Sequence, residues 1–527
     1  MKLIDLKELK TFAKPLSLIK KHLIVNTIVL TGLSVLAACS HSETKVVFPV
    51  IDNIRLDETM LAVSVVADSL EVPWDIQFIG DDQIIYTEIA GTISILNLKT
   101  GEKKLLCRLN DVYQKRTLGL LGMAVSPNIK EHPYVFISYT TRVNEEIYSK
   151  LVRLTFKGDT LMDPKVLHTI PGNTGHNGSR ISFSKRGKLL WATGDAHSKT
   201  FAQDSTSLNG KILRMNIDGS VPADNPIPGS LVYAWGFRNM QGLTVSDNGT
   251  VYTSEHGDAI EDEINRIMPL QNYGWPQIEG MHDTESEKEI AQQHQRSEPI
   301  KSWTPVIAPA GLTYYNSEVI PEWKNSLLLV TLKNQSLRIL KLGADGKSIT
   351  EEQVFLEKHY GRLRAVTVSS AGDVYLATSN RDWNPQPGFP KAGDDRILKI
   401  SPVRGAIHEP LTGTKPLKLE NSALDGKSLY NTYCGACHKE DGQGVGGTFP
   451  PLAGTERVSG DRQKLIDVVL NGLSGKITVK GKEYDQQMPA FHFLKDEEIA
   501  KILTYVRSNF GNSGSEIKAN EISKQRK

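Results

Sequence analysis

Between residues 58 and 403 the chain runs through the same loose pattern six times. Each unit opens on an apolar stretch, turns through Gly, Asp or Asn, and returns as an alternating strand that ends in polar residues. The six units are Trp74–Glu88, Leu120–Tyr139, Ser179–Asp195, Gln241–Glu255, Gly311–Lys333 and Ala365–Asn380. Their turns recur as Gly80-Asp81-Asp82, Arg186-Gly187, Asp247-Asn248-Gly249 and Ala371-Gly372-Asp373, residues that accept turn geometry at little cost. Period-two alternation is clear in Asp373-Val374-Tyr375-Leu376-Ala377-Thr378, and no long helical period separates the units. Six four-stranded units predict an all-β, six-bladed β-propeller over 58–403. A propeller gathers the same end of every inner strand around one axis, so the polar residues that end the units should converge on one pocket.

The pattern changes after residue 403. Residues 404–420 carry Gly405, Pro410 and Pro416 without periodicity and read as a linker. A small all-α domain is expected over 421–511. Its last helix is marked by Asp496, Glu497 and Glu498 in the first turn, where the helix dipole favours acids, and by Ile499, Ile502, Leu503, Val506 and Phe510 on one face. Residues 512–527 are polar and are expected to be a disordered tail. At the other end, Lys14, Lys20 and Lys21 precede an apolar run from Leu23 to Ala38, broken by Asn26 and Thr27 and short for a membrane span. The run ends in Leu36-Ala37-Ala38-Cys39, which matches the lipobox of bacterial lipoproteins. Residues 1–38 are therefore read as a signal peptide, Cys39 as the lipidation site and 39–57 as a tether. An uncleaved anchor helix is the alternative. Either reading puts the domains in the cell envelope, outside the cytoplasmic membrane or facing the periplasm.

Composition narrows the picture little. With 62 basic and 60 acidic residues among 527, the net charge of +2 leaves no electrostatic footprint for nucleic acid. The 43 glycines suit a protein built on tight turns. The four cysteines can all be assigned: Cys39 to the lipobox, Cys434 and Cys437 to the motif described next, and Cys107 to a small buried hydrophobe.

Cys434-Gly435-Ala436-Cys437-His438 has the C-x-x-C-H spacing of a c-type haem attachment site. Two thiols reach the two vinyl groups of one porphyrin, and the adjoining histidine can place a nitrogen on the iron. The sixth ligand is expected to be Met488, in Gln487-Met488-Pro489, with His492 as the alternative. A methionine thioether there raises the potential. A zinc site would need a second Cys/His pair that the chain does not supply. The domain resembles class I c-type cytochromes.

Within the repeats, several segments are too particular to be strand filler: Trp235-Gly236-Phe237-Arg238-Asn239-Met240-Gln241-Gly242, Glu255-His256-Gly257, Asp262-Glu263-Ile264-Asn265 and Asn272-Tyr273-Gly274-Trp275-Pro276. Together they resemble the soluble-type quinoprotein sugar dehydrogenases, the glucose/sorbosone dehydrogenase family that uses pyrroloquinoline quinone (PQQ), over roughly 70–402. The resemblance implies a general base at His176, a residue type able to take a hydroxyl proton. It implies Arg238 and Asn239 against the quinone oxygens, where an arginine would stabilise developing negative charge. It implies a carboxylate clamp from Lys333, Arg362 and Arg364, and Ca²⁺ held by the main-chain oxygens of Gly257 and Asp258. Arg362 and Arg364 could instead form a salt-bridged propeller end. Asp195 is expected to close a turn, and Asp262 and Glu263 to serve metal or to cap a loop. Three positions depart from the family: Gly175 precedes the base where an acid is frequent, Thr117 stands where several relatives carry Gln, and Asp258 replaces a common Pro.

The sequence thus points to a membrane-tethered quinohaemoprotein. It would oxidise an aldose or similar hydroxyl through PQQ and pass electrons through haem c to a respiratory acceptor, a cytochrome or an oxidase. Two rivals are a calcium-dependent lactonase-like hydrolase and a non-catalytic propeller that binds a carbohydrate or protein partner. The first leaves the Arg–Lys clamp and the haem motif unexplained, and in the second the cytochrome would be the sole redox unit.

Overall fold

The computed structural model describes residues 46–416 and 423–526. The signal peptide and Cys39 lie outside the described residues, as do 417–420 of the expected linker and the first two residues of the expected all-α domain. Five consecutive four-stranded antiparallel sheets are followed by a sixth that the two ends of the repeat region share. The inner strands are Pro73–Phe78, Leu120–Val125, Gly178–Phe183, Met240–Val245, Pro309–Tyr315 and Leu363–Val368, and each packs beside the next, with the last returning to the first. Six blades thus close a propeller. Each of the six sequence units turns out to be an inner strand with its hairpin partner.

The closing sheet runs Leu363–Val368, Val374–Thr378, Ile397–Pro402, Met60–Ala67, Val50–Arg55, Pro410–Thr412. Met60–Ala67 pairs antiparallel with Ile397–Pro402, so a strand from the beginning of the domain completes the last blade. Two boundaries expected from sequence are corrected here. Val50–Arg55 had been assigned to the tether, but it is a strand paired with Met60–Ala67. Pro410–Thr412 had been assigned to the linker, but it lies parallel to Val50–Arg55, and Thr414 bridges to Val354.

Apolar clusters fill the gaps between neighbouring blades. One joins Ile85, Ile95 and Leu106 of the first blade to Leu120, Met123, Val135 and Val152 of the second, all nearly inaccessible to water. The inner strands can crowd the axis because glycines stand where blades touch. A Cβ on Gly122 would meet the Ser179 oxygen at 2.0 Å, and one on Gly242 would meet the Ala310 oxygen at 2.6 Å. Across Gly122, Asp75 of the first blade reaches Arg180 of the third at 2.7 Å and also accepts from the Met123 main-chain N–H of the second. That buried pair holds three consecutive blades in register, a gain in specificity rather than in stability.

The C-terminal domain is helical, with helices Gly426–Tyr433, Gly435–His438, Glu456–Ser459, Arg462–Asn471 and Asp496–Ser508, plus a small hairpin of Ile477–Val479 and Lys482–Tyr484. Asp425 and Asp461 cap two of the helices by accepting main-chain N–H groups. Ile499, Ile502, Leu503 and Val506 form the buried face expected of the last long helix. Phe510 lies past its end and packs against Tyr430 at a tilt and against Tyr505 edge-on instead. The expected disordered tail is a further correction. Ala519–Ser523 forms a helical turn, and Ile517 and Ile522 are buried in the domain core. Two apolar side chains in a polar segment suffice to dock it. No helix among the described residues is long and apolar enough to cross a membrane.

Candidate active site

The polar ends of the inner strands surround a cavity of about 320 Å³, and His176, Arg238, Asn239, Lys333, Arg362 and Arg364 all line it. Gly257, Asp258 and Thr117 line it as well. The residues expected for the base, the quinone contacts, the clamp and the cation therefore come to one place, whereas Asp195 and Glu263 stand behind its wall.

His176 sits in the loop before the third inner strand with φ +53°, a left-handed conformation that a non-glycine residue adopts only where its surroundings enforce it. Its Nδ1 lies 2.9 Å from Asp195 Oδ1. Asp195 is fully buried; Trp275 Nε1 donates to its other oxygen at 2.8 Å, and the His197 main-chain N–H donates to Oδ1 at 2.9 Å. With Nδ1–H donated to a carboxylate, Nε2 is left as the acceptor. Burial, then the positive charge of Arg238 and the neighbouring His197, hold the imidazole well below its usual range, so it is neutral at neutral pH. Asp195 thus orients the His176 ring and also closes the turn that its Gly194-Asp195 context suggested, with the His197 and Ser198 main-chain N–H groups donating to its side chain and its carbonyl. Gly194 is needed for the same reason: a Cβ there would meet the His176 oxygen at 2.0 Å.

Arg238 is held by Asp258, with Nη2 to Oδ1 at 2.8 Å, and it lies over the Trp275 ring at 5.4 Å. Asn239 is buried and accepts from the Gly178 main-chain N–H at 3.2 Å. The main-chain N–H groups of Arg238 and Asn239 both donate to Glu255, which fixes the pair. Glu255 and Glu263 are buried side by side, and burial pushes Glu255 up to about 7 and Glu263 well above the carboxylate range, so together they retain a proton. Asp262 does cap a loop, accepting the main-chain N–H groups of Ile307 and Ala308 at 2.6 Å each and of Gly257 at 3.0 Å. Arg362 and Arg364 converge on Asp382, at 2.9 and 2.7 Å. They form a salt-bridged end and line the cavity at once. Asp382 was missed in the sequence because an acid in an Asn-Arg-Asp turn looks like any turn residue. Two arginines alternating into one buried pocket were the available signal, since they require a counter-ion.

The C-terminal domain forms the roof. Ala436, Cys437, Phe449 and Gln486 line the same cavity. Lys333 Nζ donates to the Thr432 carbonyl at 3.1 Å, Arg116 Nη1 to Gln486 Oε1 at 3.0 Å, and Asn384 Nδ2 to the Ala436 carbonyl at 3.3 Å. Trp383 meets Phe449 with ring centres 5.6 Å apart. In this domain His438 is buried, and its Nδ1 donates to the Pro450 carbonyl at 2.9 Å, which leaves Nε2 free to ligate. Burial pushes the Cys434 thiol up to about 12, which argues against a redox dithiol. The Met488 main chain pairs with Leu473, and its side chain packs in the same apolar cluster as Cys434, whereas His492 is exposed.

The glucose/sorbosone dehydrogenase family model matches residues 70–384, and the cytochrome c model matches 423–510. The chain belongs to the glucose/sorbosone dehydrogenase family. It is 26% identical over 361 residues to an aldose sugar dehydrogenase of Escherichia coli, covering 64% of this chain and 92% of that one. The PQQ-bound aldose sugar dehydrogenase of Streptomyces coelicolor matches with 31% identity and a TM-score of 0.57, over 68% of this chain and all of the other. The C-terminal domain is 45% identical over 93 residues to cytochrome c-552 of Thermus thermophilus, covering 17% of this chain and 70% of that one. Sugar dehydrogenases of this family and cytochromes c are thus joined here in one polypeptide.

The residues present suit the groups that such a chain implies. Five cations, Arg116, Arg238, Lys333, Arg362 and Arg364, line the cavity, and the Nε atoms of Arg238 and Arg362 are buried without a hydrogen-bond partner among the described residues. That is a cradle for a flat, multiply charged anion. Two thiols, an imidazole with a free Nε2 and a thioether fit a c-type haem. Among the described residues no group of three or more His, Cys, Asp or Glu side chains is placed to hold a metal ion. Gly257 and Asp258 line the cavity, and the Asp258 carboxylate, a hard oxygen donor, is paired there with Arg238.

Proposed function

We propose that this protein oxidises the anomeric carbon of an aldose, or a similar hydroxyl, with PQQ as hydride acceptor and haem c as the electron outlet. One observation carries the reading: Cys437, a haem-attachment thiol, lines the same cavity as His176 and Arg238. His176 takes the hydroxyl proton at Nε2 while Asp195 fixes its ring and tautomer. Arg238 supplies a positive charge to oxygen that becomes negative as the substrate is oxidised. Lys333, Arg362 and Arg364 would hold the carboxylates of PQQ, Asn239 would lie against its edge, Gly257 and Asp258 would hold Ca²⁺ through main-chain oxygens, and His438 and Met488 would ligate the haem iron. Bound PQQ would supply a two-electron hydride acceptor, Ca²⁺ a Lewis acid, and haem a one-electron carrier. Fusion of the two domains keeps donor and acceptor at high effective concentration. Acylation at Cys39 would tether the protein in the cell envelope, facing the periplasm or outside the cytoplasmic membrane, where a respiratory cytochrome or oxidase removes the electrons.

The test uses the full-length protein under anaerobic conditions. Adding an aldose to protein loaded with PQQ and Ca²⁺ should sharpen the α and β bands of reduced haem, and without PQQ the haem should stay oxidised. Equal haem reduction in PQQ-free protein would overturn the reading.

A further inference from the structure

Two imidazoles, not one, stand at the base. The rings of His176 and His197 are stacked with centres 3.8 Å apart and planes 30° from parallel. Both residues, and Ala196 between Asp195 and His197, are in the left-handed region, with φ of +53°, +58° and +51°. Strain of this kind persists only where the surroundings determine it. Asp195 Oδ1 organises both histidines, accepting from the ring of one and the main chain of the other. Gly175 completes the arrangement: a Cβ there would lie 2.5 Å from His197 Nε2. The residue before the base is a glycine because the second imidazole occupies the space of its side chain.

We propose that His197 is a positioning residue for His176, and that Gly175 and His197 form one device, the absent side chain of the first making room for the ring of the second. The proposal rests on the reading of His176 as the base. The hydrogen bond to Asp195 fixes one edge of the His176 ring but leaves it able to swing about the Nδ1···Oδ1 line. A ring stacked on its face removes that freedom and aims Nε2 at one point in the cavity. Aim matters to chemistry more than to binding, since a displacement of about 1 Å at a reacting group costs up to roughly 100-fold in rate.

The experiment is a double-mutant cycle in the full-length protein. His197→Gly should lower kcat by roughly 10- to 100-fold with dye acceptor and leave KM within about twofold, as expected of lost orientation. Gly suits the left-handed backbone, so this variant retains the fold. Gly175→Ala should impair wild type similarly, because its methyl displaces the ring. In the His197→Gly background the same alanine should cost nothing further, giving strong non-additivity. A second readout needs no cofactor: in PQQ-free, haem-loaded protein with isotope-labelled histidine, the His176 ring signals should shift when His197 is removed, and Gly175→Ala should lower the melting temperature only when His197 is present. Additive effects in that stability cycle, or unmoved His176 signals, would overturn the proposal whether or not any sugar is oxidised. Wild-type protein that oxidises no sugar would sink only the functional reading, because the cofactor-free cycle still decides the stack.

Discussion

Replacing Asp382 by asparagine keeps the shape of the side chain and removes the charge that two arginines share. Asp382 is 1% exposed, and Arg362 and Arg364 are each 7% exposed. Burial alone would raise the Asp382 carboxyl, but the two guanidiniums outweigh it and hold the group below its usual range. Burial also draws Arg364 down to about 10, a sign of how costly its charge is in place. Removing one partner from a buried ion pair costs about 3–5 kcal/mol, because the remaining charge stays buried and unbalanced. At about 2 °C per kcal/mol for a domain of this size, the PQQ-free propeller should melt roughly 5–10 °C lower. A ligand that brings carboxylates to the same arginines should offset part of that loss. The increase in melting temperature on adding PQQ should therefore be larger in the variant than in wild type. Tryptophan fluorescence, with and without PQQ, reads both quantities. An unchanged melting temperature without PQQ, or equal increments with it, would refute the view that Asp382 stands in for the cofactor's negative charge.

Other outcomes follow from the same structure. Burial and then Arg238 lower His256 to about 3, while Pro309 accepts from its ring. The unfolded chain binds this proton first, so stability should fall as pH drops from about 6.5 towards 3, by up to about 1.4 kcal/mol per unit, and His256→Gln should flatten that slope; a parallel slope in the variant would exclude His256 as its source. Met488→Ala should remove the thioether ligand and lower the haem potential, measured by redox titration, and an unchanged potential would assign the sixth position elsewhere. His176→Ala should cut turnover on the order of 10²–10⁴-fold while PQQ still binds by equilibrium titration, and near-normal turnover would move the base to another residue. Cys39→Ser should abolish metabolic palmitate labelling, and equal labelling of wild type and variant would remove the anchor.

The fold was legible because a propeller repeats its instructions. Each turn such as Asp247-Asn248-Gly249 and each alternating strand such as Val374–Thr378 carries its own local signal, and six copies reinforce one another. The short strands at the margins carry no such signal. Val50–Arg55 is a strand because it pairs with Met60–Ala67, itself a strand of the last blade, and Pro410–Thr412 because it meets Val50–Arg55, a partner so distant in sequence that no local periodicity reports it. The same division runs through the site. His176, Arg238, Lys333 and the haem motif were legible as residue types in distinctive surroundings. Asp195, Asp382 and His197 were not, because an acid or histidine at a strand end looks the same whether it serves a turn or another side chain. The roof over the cavity was illegible for a further reason: docking of Phe449 on Trp383, and of Thr432 on Lys333, depends on two surfaces rather than on any stretch of chain.

The shared sixth blade also sets an order of events during synthesis. Met60–Ala67 leaves the ribosome early beside Val50–Arg55, but its other edge finds a partner only when Ile397–Pro402 has been made. Until then it is an open edge, able to pair with a strand of another chain. Closure therefore waits for the whole propeller, and long-range pairing of this kind is slow. The haem motif lies beyond the closing strand. By the time Cys434 and Cys437 are available for attachment, the chain holds everything needed to seal the ring, so a truncated molecule with an incomplete catalytic half never takes up haem.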